Sequence, residues 1–292
     1  MPTFAGTITA LVTPFRNDKV DFANLEKLVE RQIAGGVDGL VPCGTTGESP
    51  TLTKTEHAEV IECVIKAARK RVKIIAGTGS NNTAECLRMS EHAATAGADG
   101  LLIVSPYYNK PTQAGLFAHF SAVAKAIKLP IMLYNIPGRC GVEIAIPTIA
   151  RLRETHPNIV SVKHATGRVD DAAELLSVSN IEVMSGDDPI TWPLMALGAI
   201  GVVSVMSNLC PRAVKRLTHA GLAGDFAGAR AAHDALYPLM RGLLSLETNP
   251  IPIKTALAIK GLCSEDFRLP MCPIAPENRK KLADLLERYP LD

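Results

Sequence analysis

A lysine closes an apolar run in the middle of the chain. Ile159, Val160 and Val162 favour a buried strand, and Lys163 follows them shortly before the chain-breaking Gly167. Burial disfavours the charged form of an amine, and a neutral amine can attack a ketone to form an imine. The alternative is a lysine whose stem lies along the strand while its ammonium reaches water. Position alone leaves both interpretations open.

Polar side chains that could assist such an amine follow other apolar runs. Tyr134 could carry protons while an imine forms and breaks, or it could fill the core with its hydroxyl as a polar end. Thr45 and Thr46 lie between glycines in the segment GTTGE and suit a small carboxylate, although a plain tight turn would use the same residues. Arg139 follows a Pro-Gly turn and could bind a carboxylate with two hydrogen bonds, or be an ordinary loop arginine.

The composition and the motifs argue against several other classes of protein. The net charge is +2, from 31 basic and 29 acidic residues, which does not favour a nucleic-acid or membrane partner. No HExxH, cysteine cluster, GxSxG or P-loop motif occurs, so we expect neither a metal nor a cofactor. No targeting segment is visible and no apolar stretch reaches the roughly 20 residues of a membrane span. The seven cysteines form no CxxC pair, which favours reduced thiols in the cytoplasm.

Repeated strand–helix units must position these side chains. Segments 34–44, 96–106 and 197–207 resemble one another, since each joins a glycine-containing helix end to an apolar run. Eight such runs recur at spacings of roughly 20 to 34 residues, which fits one strand and one helix per unit. The candidate strands lie near residues 7–13, 39–43, 73–77, 101–105, 131–135, 159–163, 181–185 and 201–205.

Eight apolar strands that alternate with helices predict an α/β fold, a (β/α)₈ TIM barrel whose site lies at the carboxyl ends of the strands. A doubly wound open sheet is the alternative, although it more usually shows a GxGxxG turn after its first strand. The strand pattern stops after residue 211. We therefore expect a catalytic barrel over residues 1–211, with a last helix reaching as far as about 224, and a C-terminal helical domain over residues 212–292.

Two of the predicted helices have clear ends. In segment 21–36 an apolar face is followed by Gly35 and Gly36, which end the helix. In the next helix Thr53 and Glu56 have the spacing of a capping box, in which each side chain bonds the main chain of the other residue.

Several motifs, in order along essentially the whole chain, resemble those of one enzyme family. This is the family of class I, pyruvate-dependent aldolases and lyases, which contains dihydrodipicolinate synthase and N-acetylneuraminate lyase. The matching segments are GTTGES (44–49), AGTGSNNTAE (76–85), SPYYNKP (105–111), YNIPGR (134–139), VKHATG (162–167), SGDD (185–188) and the tail segment NPIPIKTAL (249–257).

The resemblance implies a role for each candidate residue. Lys163 would form the Schiff base with pyruvate, and Thr46 would hold the pyruvate carboxylate. Tyr134 and Thr45 would belong to a proton relay that is completed by Tyr108 of the partner subunit. The other substrate-binding positions that the resemblance implies are Arg139, for the carboxylate of L-aspartate-4-semialdehyde, Gly186 and Val203.

Arg139 favours one activity within this family, the condensation of pyruvate with L-aspartate-4-semialdehyde to 4-hydroxy-tetrahydrodipicolinate in diaminopimelate and lysine biosynthesis. A different 2-oxo-acid aldolase or lyase, similar to N-acetylneuraminate lyase, is the alternative enzyme. A sensor barrel that binds a 2-oxo acid is the alternative without catalysis. His164 departs from the acidic residue that more often follows the lysine, and strand alternation predicts that its side chain points away from Lys163.

The resemblance also implies assembly and regulation. We expect a homotetramer built from two tight dimers, because Tyr107 and Tyr108 are bulky for a loop and interfaces are enriched in tyrosine. L-lysine is the expected allosteric inhibitor, and a cation at Lys54 leaves the strength of inhibition open. The positions that match the lysine site of regulated members are Ser49, His57, Asn81, Glu85 and Tyr107.

Overall fold

The computed structural model describes residues 2–289, and ten strands occur in this part of the chain. They are β1 (Gly6–Ala10), β2 (Phe15–Arg16), β3 (Lys19–Val20), β4 (Gly39–Val41), β5 (Lys73–Gly77), β6 (Gly100–Val104), β7 (Ile131–Asn135), β8 (Ile159–His164), β9 (Glu182–Ser185) and β10 (Gly201–Ser204). Strands β4 to β10 follow one another in space, and β1 pairs with both β4 and β10 to close a parallel barrel. The strands β2 and β3 form a separate antiparallel hairpin.

The predicted TIM barrel is confirmed, and a strand lies at each of the eight predicted positions. The predictions for 73–77 and 131–135 match β5 and β7 to the residue. The prediction for 7–13 was too long, because the chain leaves the barrel after Ala10. The hairpin of β2 and β3 was not predicted, since strands of two residues show too little alternation to be recognised.

Helices connect and cover the strands. They are α1 (Phe22–Ala34), α2 (Lys54–Ala68), α3 (Thr83–Ala96), α4 (Gln113–Ala126), α5 (Pro137–Cys140), α6 (Ile146–Thr155), α7 (Val169–Val178), α8 (Thr191–Ala196), α9 (Pro211–Leu222), α10 (Phe226–Ser245), α11 (Ile251–Ile259) and α12 (Pro276–Leu286). Within residues 2–289, no helix combines the length and the apolar character that crossing a membrane would require.

The two helices whose ends were predicted form as expected. Helix α1 begins after Asp21, whose carboxylate accepts a hydrogen bond from the main-chain N–H of Asn24, and it ends before Gly35. At the start of α2, the Thr53 hydroxyl accepts from the Glu56 main-chain N–H. The Glu56 carboxylate in turn accepts from the Thr53 main-chain N–H, which confirms the capping box.

Side chains of the strands alternate between two apolar cores. On β7, Met132 and Tyr134 belong to the core inside the barrel, whereas Leu133 packs in the core between strands and helices. The inner core also contains Ile8, Val41, Ile75, Leu102, Met184 and Val203. Because adjacent residues of a strand face opposite sides of the sheet, this alternation directs Tyr134 into the barrel interior at the carboxyl end of its strand.

Helix α9 packs against the outside of the barrel beside β1. The hydroxyl oxygens of Thr218 and Thr7 lie 2.8 Å apart, and Lys215 donates to both carboxylate oxygens of Asp38 at 2.6 and 2.7 Å. Helices α10 to α12 follow it. The boundary proposed between residues 211 and 212 falls at the first residue of α9, and the division into two domains stays a prediction.

Candidate active site

Lys163 is buried inside the barrel beside Tyr134. The two residues are in register on the neighbouring strands β8 and β7, and each side chain is 5% exposed. The Lys163 Nζ lies 4.1 Å from the centre of the Tyr134 ring. The interpretation in which the lysine reaches out to solvent is therefore wrong. An amine beside a phenol, inside a closed barrel, is a suitable arrangement for imine chemistry with a small ketone.

His164 points away from Lys163, as strand alternation predicts. Its Nε2 lies 2.8 Å from the main-chain oxygen of Arg168 and 3.0 Å from the Thr166 hydroxyl. The ring is 2% exposed and is used to hold the turn that follows β8. The departure from an acidic residue at this position therefore changes the support of the strand end and not the surroundings of the amine.

The GTTGE segment forms a short 3₁₀ turn over Thr45–Gly47. Thr46 is 3% exposed, and its hydroxyl accepts a hydrogen bond of 3.0 Å from the side-chain amide of Asn249. The Gly47 carbonyl accepts from the Thr13 hydroxyl at 2.7 Å. Contacts from Thr13, in the segment after β1, and from Asn249, in the C-terminal tail, therefore fix the conformation of this turn. Both threonines thus have defined positions.

The same asparagine also holds Arg139. The Arg139 guanidinium donates to the main-chain oxygen of Asn249 at 2.9 Å, while the Asn249 side-chain oxygen is buried and makes no hydrogen bond. Asn249 thus lies between Thr46 and Arg139, the two predicted carboxylate-binding residues. Sequence reasoning missed Asn249 as a functional residue, although the segment NPIPIKTAL that contains it was among the recognised motifs.

Gly186 allows the chain after β9 to approach β8 closely. Its N–H donates to the His164 carbonyl at 2.7 Å, and a Cβ at this position would lie 2.6 Å from the Ala165 Cβ. Val203 is fully buried in the inner core. Asp187, the residue after Gly186, carries a carboxyl group to which the sequence assigned no role. Burial raises the pKa of Asp187, and electrostatic interactions with Lys163, His164 and Arg139 oppose this shift.

The described residues do not supply a site for a metal ion. Across residues 2–289, no three His, Cys, Asp or Glu side chains are grouped closely enough to hold one. The side chains predicted to act with Lys163 are instead hydroxyls and a guanidinium, which can bind carboxylates and, in the case of the hydroxyls, move protons.

Comparison with known proteins identifies the family of this chain. The sequence profile described as the dihydrodipicolinate synthetase family matches residues 3–289. The chain belongs to this family. It is 51% identical over 291 residues to the 4-hydroxy-tetrahydrodipicolinate synthase of Geobacter metallireducens, with 99% of each chain covered.

Solved structures of dihydrodipicolinate synthetase family members superimpose closely on this chain. The 4-hydroxy-tetrahydrodipicolinate synthase from Methylacidiphilum fumariolicum SolV gives a TM-score of 0.96 at 50% identity, and the match covers 98% of this chain and 95% of that one. A structure of the enzyme from Cyanidioschyzon merolae with lysine bound gives 0.95 at 38% identity, with 99% of each chain covered.

A cavity of about 540 Å³ brings together two groups of residues that the family resemblance had singled out. Thr45 and Arg139 line one part of it, and Lys163 and Tyr134 are not among its lining residues. The cavity is also lined by four of the five residues matched to the family's lysine site, namely Ser49, His57, Glu85 and Tyr107. The fifth, Asn81, donates its amide to the Tyr107 carbonyl at 3.1 Å.

The acid of this cavity already has cationic neighbours in its own chain. The Glu85 carboxylate lies 3.7 Å from Lys54 Nζ and 3.6 Å from Arg88 Nη2, and it accepts a hydrogen bond of 3.0 Å from the Ser80 hydroxyl. On the other wall, the His57 Nε2 lies 3.0 Å from the Gly77 carbonyl, and burial lowers the pKa of His57. A cationic ligand would therefore compete with Lys54 and Arg88 for Glu85.

Tyr108 lies outside the barrel interior of its own chain. Its side chain is 88% exposed, and its φ of 71° is in the left-handed region, where residues other than glycine are strained. The neighbouring Tyr107 is 39% exposed. The structure thus does not bring Tyr108 together with Lys163, Tyr134 and Thr45 within one chain.

Proposed function

We propose that this chain condenses its two substrates through an imine formed at Lys163. As a member of the dihydrodipicolinate synthetase family, the chain is a lyase that joins pyruvate and L-aspartate-4-semialdehyde to give 4-hydroxy-tetrahydrodipicolinate in diaminopimelate and lysine biosynthesis. The observation that carries the residue-level proposal is the buried Lys163 beside Tyr134 at the carboxyl ends of neighbouring strands. That is the place where barrels of this type hold their active sites.

The chemistry proceeds in balanced steps. The neutral Lys163 amine attacks the carbonyl carbon of pyruvate, and the resulting carbinolamine loses water to give the imine. Loss of a methyl proton gives an enamine, whose carbon attacks the aldehyde of the second substrate. The amino group of that substrate then displaces Lys163, which closes the ring and frees the lysine. Tyr134, with Thr45 and with Tyr108 of the partner subunit, carries the protons of these steps.

The remaining residues bind the substrates or shape the site. Thr46 holds the pyruvate carboxylate, and Arg139 binds the carboxylate of L-aspartate-4-semialdehyde with charge-assisted hydrogen bonds. Gly186 leaves room beside β8 and Val203 forms part of the inner wall. The Asn249 contacts to Thr46 and Arg139 support a fixed distance between the two carboxylate sites.

We also propose a homotetramer built from two tight dimers. The 88% exposure of Tyr108 supports the contact within each dimer, because a side chain directed away from its own barrel is free to reach the active site of a partner subunit. The seven free cysteines support a reducing compartment, and we place the enzyme in the cytoplasm.

L-lysine is the proposed allosteric inhibitor. Its ammonium would pair with Glu85 in the cavity, while His57, Asn81, Ser49 and Tyr107 offer polar groups to its other end. The proximity of Lys54 to Glu85 argues for weaker inhibition than an uncharged residue at position 54 would allow, since the two ammonium groups compete.

Trapping of the imine tests the central proposal. Incubation with pyruvate and borohydride should leave a stable adduct on the peptide that contains Lys163. The Lys163→Arg variant should not form it, because a guanidinium stays charged and cannot become an imine. Labelling of another lysine in the wild-type protein would contradict the mechanism. Turnover of L-aspartate-4-semialdehyde in a coupled assay, compared with N-acetylneuraminate, tests the substrate assignment separately.

A further inference from the structure

A fully buried ion pair lies behind the catalytic turn and has no place in the mechanism above. The Lys254 Nζ donates to the Glu48 carboxylate at 2.5 Å, and the two side chains are 0% and 2% exposed. Lys254 belongs to α11 in the C-terminal tail, whereas Glu48 directly follows the 3₁₀ turn Thr45–Gly47. The pair therefore joins two segments that are 206 residues apart in the sequence.

The surroundings of Lys254 hold its ammonium in one place. Its Nζ also donates to the Asp266 carbonyl at 2.8 Å and lies over the rings of Phe15 and Phe267, at 4.4 and 4.9 Å from their centres. Burial lowers the pKa of Lys254, and the carboxylate of Glu48 opposes that shift. Buried ion pairs are often no more stabilising than apolar residues of the same volume, so a contribution to stability is a weak reason for this one.

The location of the pair suggests a geometric reason instead. Three consecutive residues at the end of the turn are held from two distant parts of the chain: Thr46 and Glu48 by Asn249 and Lys254 of the C-terminal tail, and Gly47 by Thr13. Glu48 has a φ of 51°, in the left-handed region, so its main chain is strained and depends on its side-chain contacts to stay there. A turn anchored in this way has little freedom to move its threonine hydroxyls.

We propose that Glu48 and Lys254 are positioning residues, whose ion pair sets the conformation of the turn that presents Thr45 and Thr46 to pyruvate. This inference rests on the roles proposed above for the two threonines. Neither Glu48 nor Lys254 lines the cavity that contains Thr45 and Arg139, so we assign the pair no contact with either substrate. Its effect comes from the fact that displacing a binding group by about 1 Å can reduce a rate on the order of 100-fold.

A double variant separates positioning from stability. Lys254→Met leaves a buried carboxylate without its partner and should lower the melting temperature strongly. Combining it with Glu48→Gln removes both charges, so the double variant should recover most of that loss. If the pair positions the turn, the double variant should still show a raised KM for pyruvate and a 10- to 100-fold lower kcat/KM. KM does not depend on the fraction of folded protein, so a purely structural role would leave it unchanged.

A second ion pair, which is partly exposed, provides a control far from the turn. Lys215 and Asp38 join α9 to the residue before β4, on the opposite end of the barrel, at 2.6 Å. The Lys215→Met, Asp38→Asn double variant should change the melting temperature but not the KM for pyruvate. The single Glu48→Gln variant removes the counter-charge of Lys254 and should also lower the melting temperature. It retains an oxygen that accepts from Lys254, so its rise in KM should be smaller than that of the double variant.

The outcomes are distinguishable. A folded Glu48→Gln, Lys254→Met variant with wild-type KM and kcat would overturn the inference. The Thr46→Val variant tests the proposed role of Thr46 separately. If its KM for pyruvate is raised while the KM of the double variant is normal, only the positioning role of the ion pair is overturned. A Thr46→Val variant with unchanged KM would overturn the proposed role of Thr46 and this inference with it.

Discussion

At the scale of single residues, Asn249 connects Thr46 and Arg139, the two residues that we propose bind the substrate carboxylates. Its side-chain amide donates to the Thr46 hydroxyl and its main-chain oxygen accepts from Arg139. One residue thus sets the separation between the group that we assign to pyruvate and the group that we assign to the semialdehyde. Because the two contacts use different parts of Asn249, each carboxylate site can be altered without removing the other.

Replacement of Arg139 by alanine should separate the two halves of the reaction. Imine formation with pyruvate should continue, because Lys163, Tyr134 and Thr46 are unchanged. Turnover of L-aspartate-4-semialdehyde should fall about 10- to 150-fold, since a hydrogen bond to a charged group contributes roughly 1.5–3 kcal/mol. Borohydride trapping measures the first step, and a coupled assay measures the second.

Arg151→Ala is the matched control for this variant. Arg151 lies on α6, where its guanidinium packs 4.1 Å from the centre of the Phe117 ring. Its removal should leave both steps unchanged. Equal loss of trapping and of turnover in Arg139→Ala would contradict the assignment of Arg139 to the second substrate.

At the scale of elements, the C-terminal tail holds the start of α2 as well as the turn Thr45–Gly47. Arg268 donates to both carboxylate oxygens of Glu56 at 2.6 and 2.8 Å, and its guanidinium also bonds Asp18 in the hairpin of β2 and β3. The Glu56 carboxylate is therefore shared between the capping box of α2 and the tail. These contacts join the C-terminal tail to helix α2 and to the hairpin of β2 and β3.

The contact between Glu56 and Arg268 should make stability depend on acid pH. Hydrogen bonds from Arg268 lower the pKa of Glu56 from 4.5 to about 2, so its ionised form stabilises the fold above pH 4.5 and loses this effect as the pH falls towards 2. Glu56→Gln should therefore cost roughly 1.5–3 kcal/mol of unfolding free energy at neutral pH. The difference from wild type should shrink as the solution is acidified, which melting temperatures across this pH range will measure.

Glu59→Gln serves as the comparison in the same helix, because the Glu59 side chain is exposed and lies outside the buried face of α2. Its effect on the melting temperature should be small at every pH. A Glu56→Gln variant whose deficit stays constant down to pH 2 would show that the charge of Glu56 is not the stabilising feature.

At the scale of the whole molecule, an active site that borrows Tyr108 predicts complementation between inactive subunits. The Tyr108→Phe variant lacks the hydroxyl that this residue would contribute to the active site of the partner subunit, and the Lys163→Arg variant lacks the nucleophile. In a mixed dimer, the chain with Lys163 intact would receive Tyr108 from the other chain. Co-expression should restore about one quarter of wild-type activity, since half of randomly formed dimers are mixed and each has one complete site.

The measurement is activity of the purified mixture, with sedimentation to confirm its assembly. Each variant expressed alone should remain impaired. Mixed dimers without any recovered activity, or a fully active wild-type monomer, would contradict the shared site.

The proposed regulation by L-lysine also concerns the whole molecule, because one cavity is lined both by the proposed effector residues and by Thr45 and Arg139. A lysine titration at fixed pyruvate and semialdehyde should show inhibition in the wild-type enzyme. Glu85→Ala should remove it, since the ammonium of the ligand loses its carboxylate partner. Lys54→Ala should lower the concentration for half inhibition several-fold, because the competing cation 3.7 Å from Glu85 is gone.

Inhibition that survives unchanged in Glu85→Ala would place the effector site elsewhere. Absence of inhibition in both the wild type and Lys54→Ala would remove the regulatory proposal without affecting the catalytic one.

The amino-acid sequence by itself determined the barrel and its strand positions, and it placed Lys163 at a strand end while leaving its burial open. These depend on local features: apolar runs of strand length, helical periodicity and the capping residues Thr53 and Glu56. The same alternation that defines a strand also predicted that His164 faces away from Lys163. The order of the motifs identified the family, because it extends over the whole chain.

Only the tertiary structure revealed how the C-terminal tail holds the turn after β4. The contacts of Asn249 with Thr46 and of Lys254 with Glu48 join residues separated by 203 and 206 positions, and no local pattern encodes such pairs. A lysine in a helix or an acid after a turn is usually solvated, so neither residue signals burial on its own. The barrel brings the loop after β4 and the tail to the same place, and each of these polar groups becomes buried because the other is there to bond it.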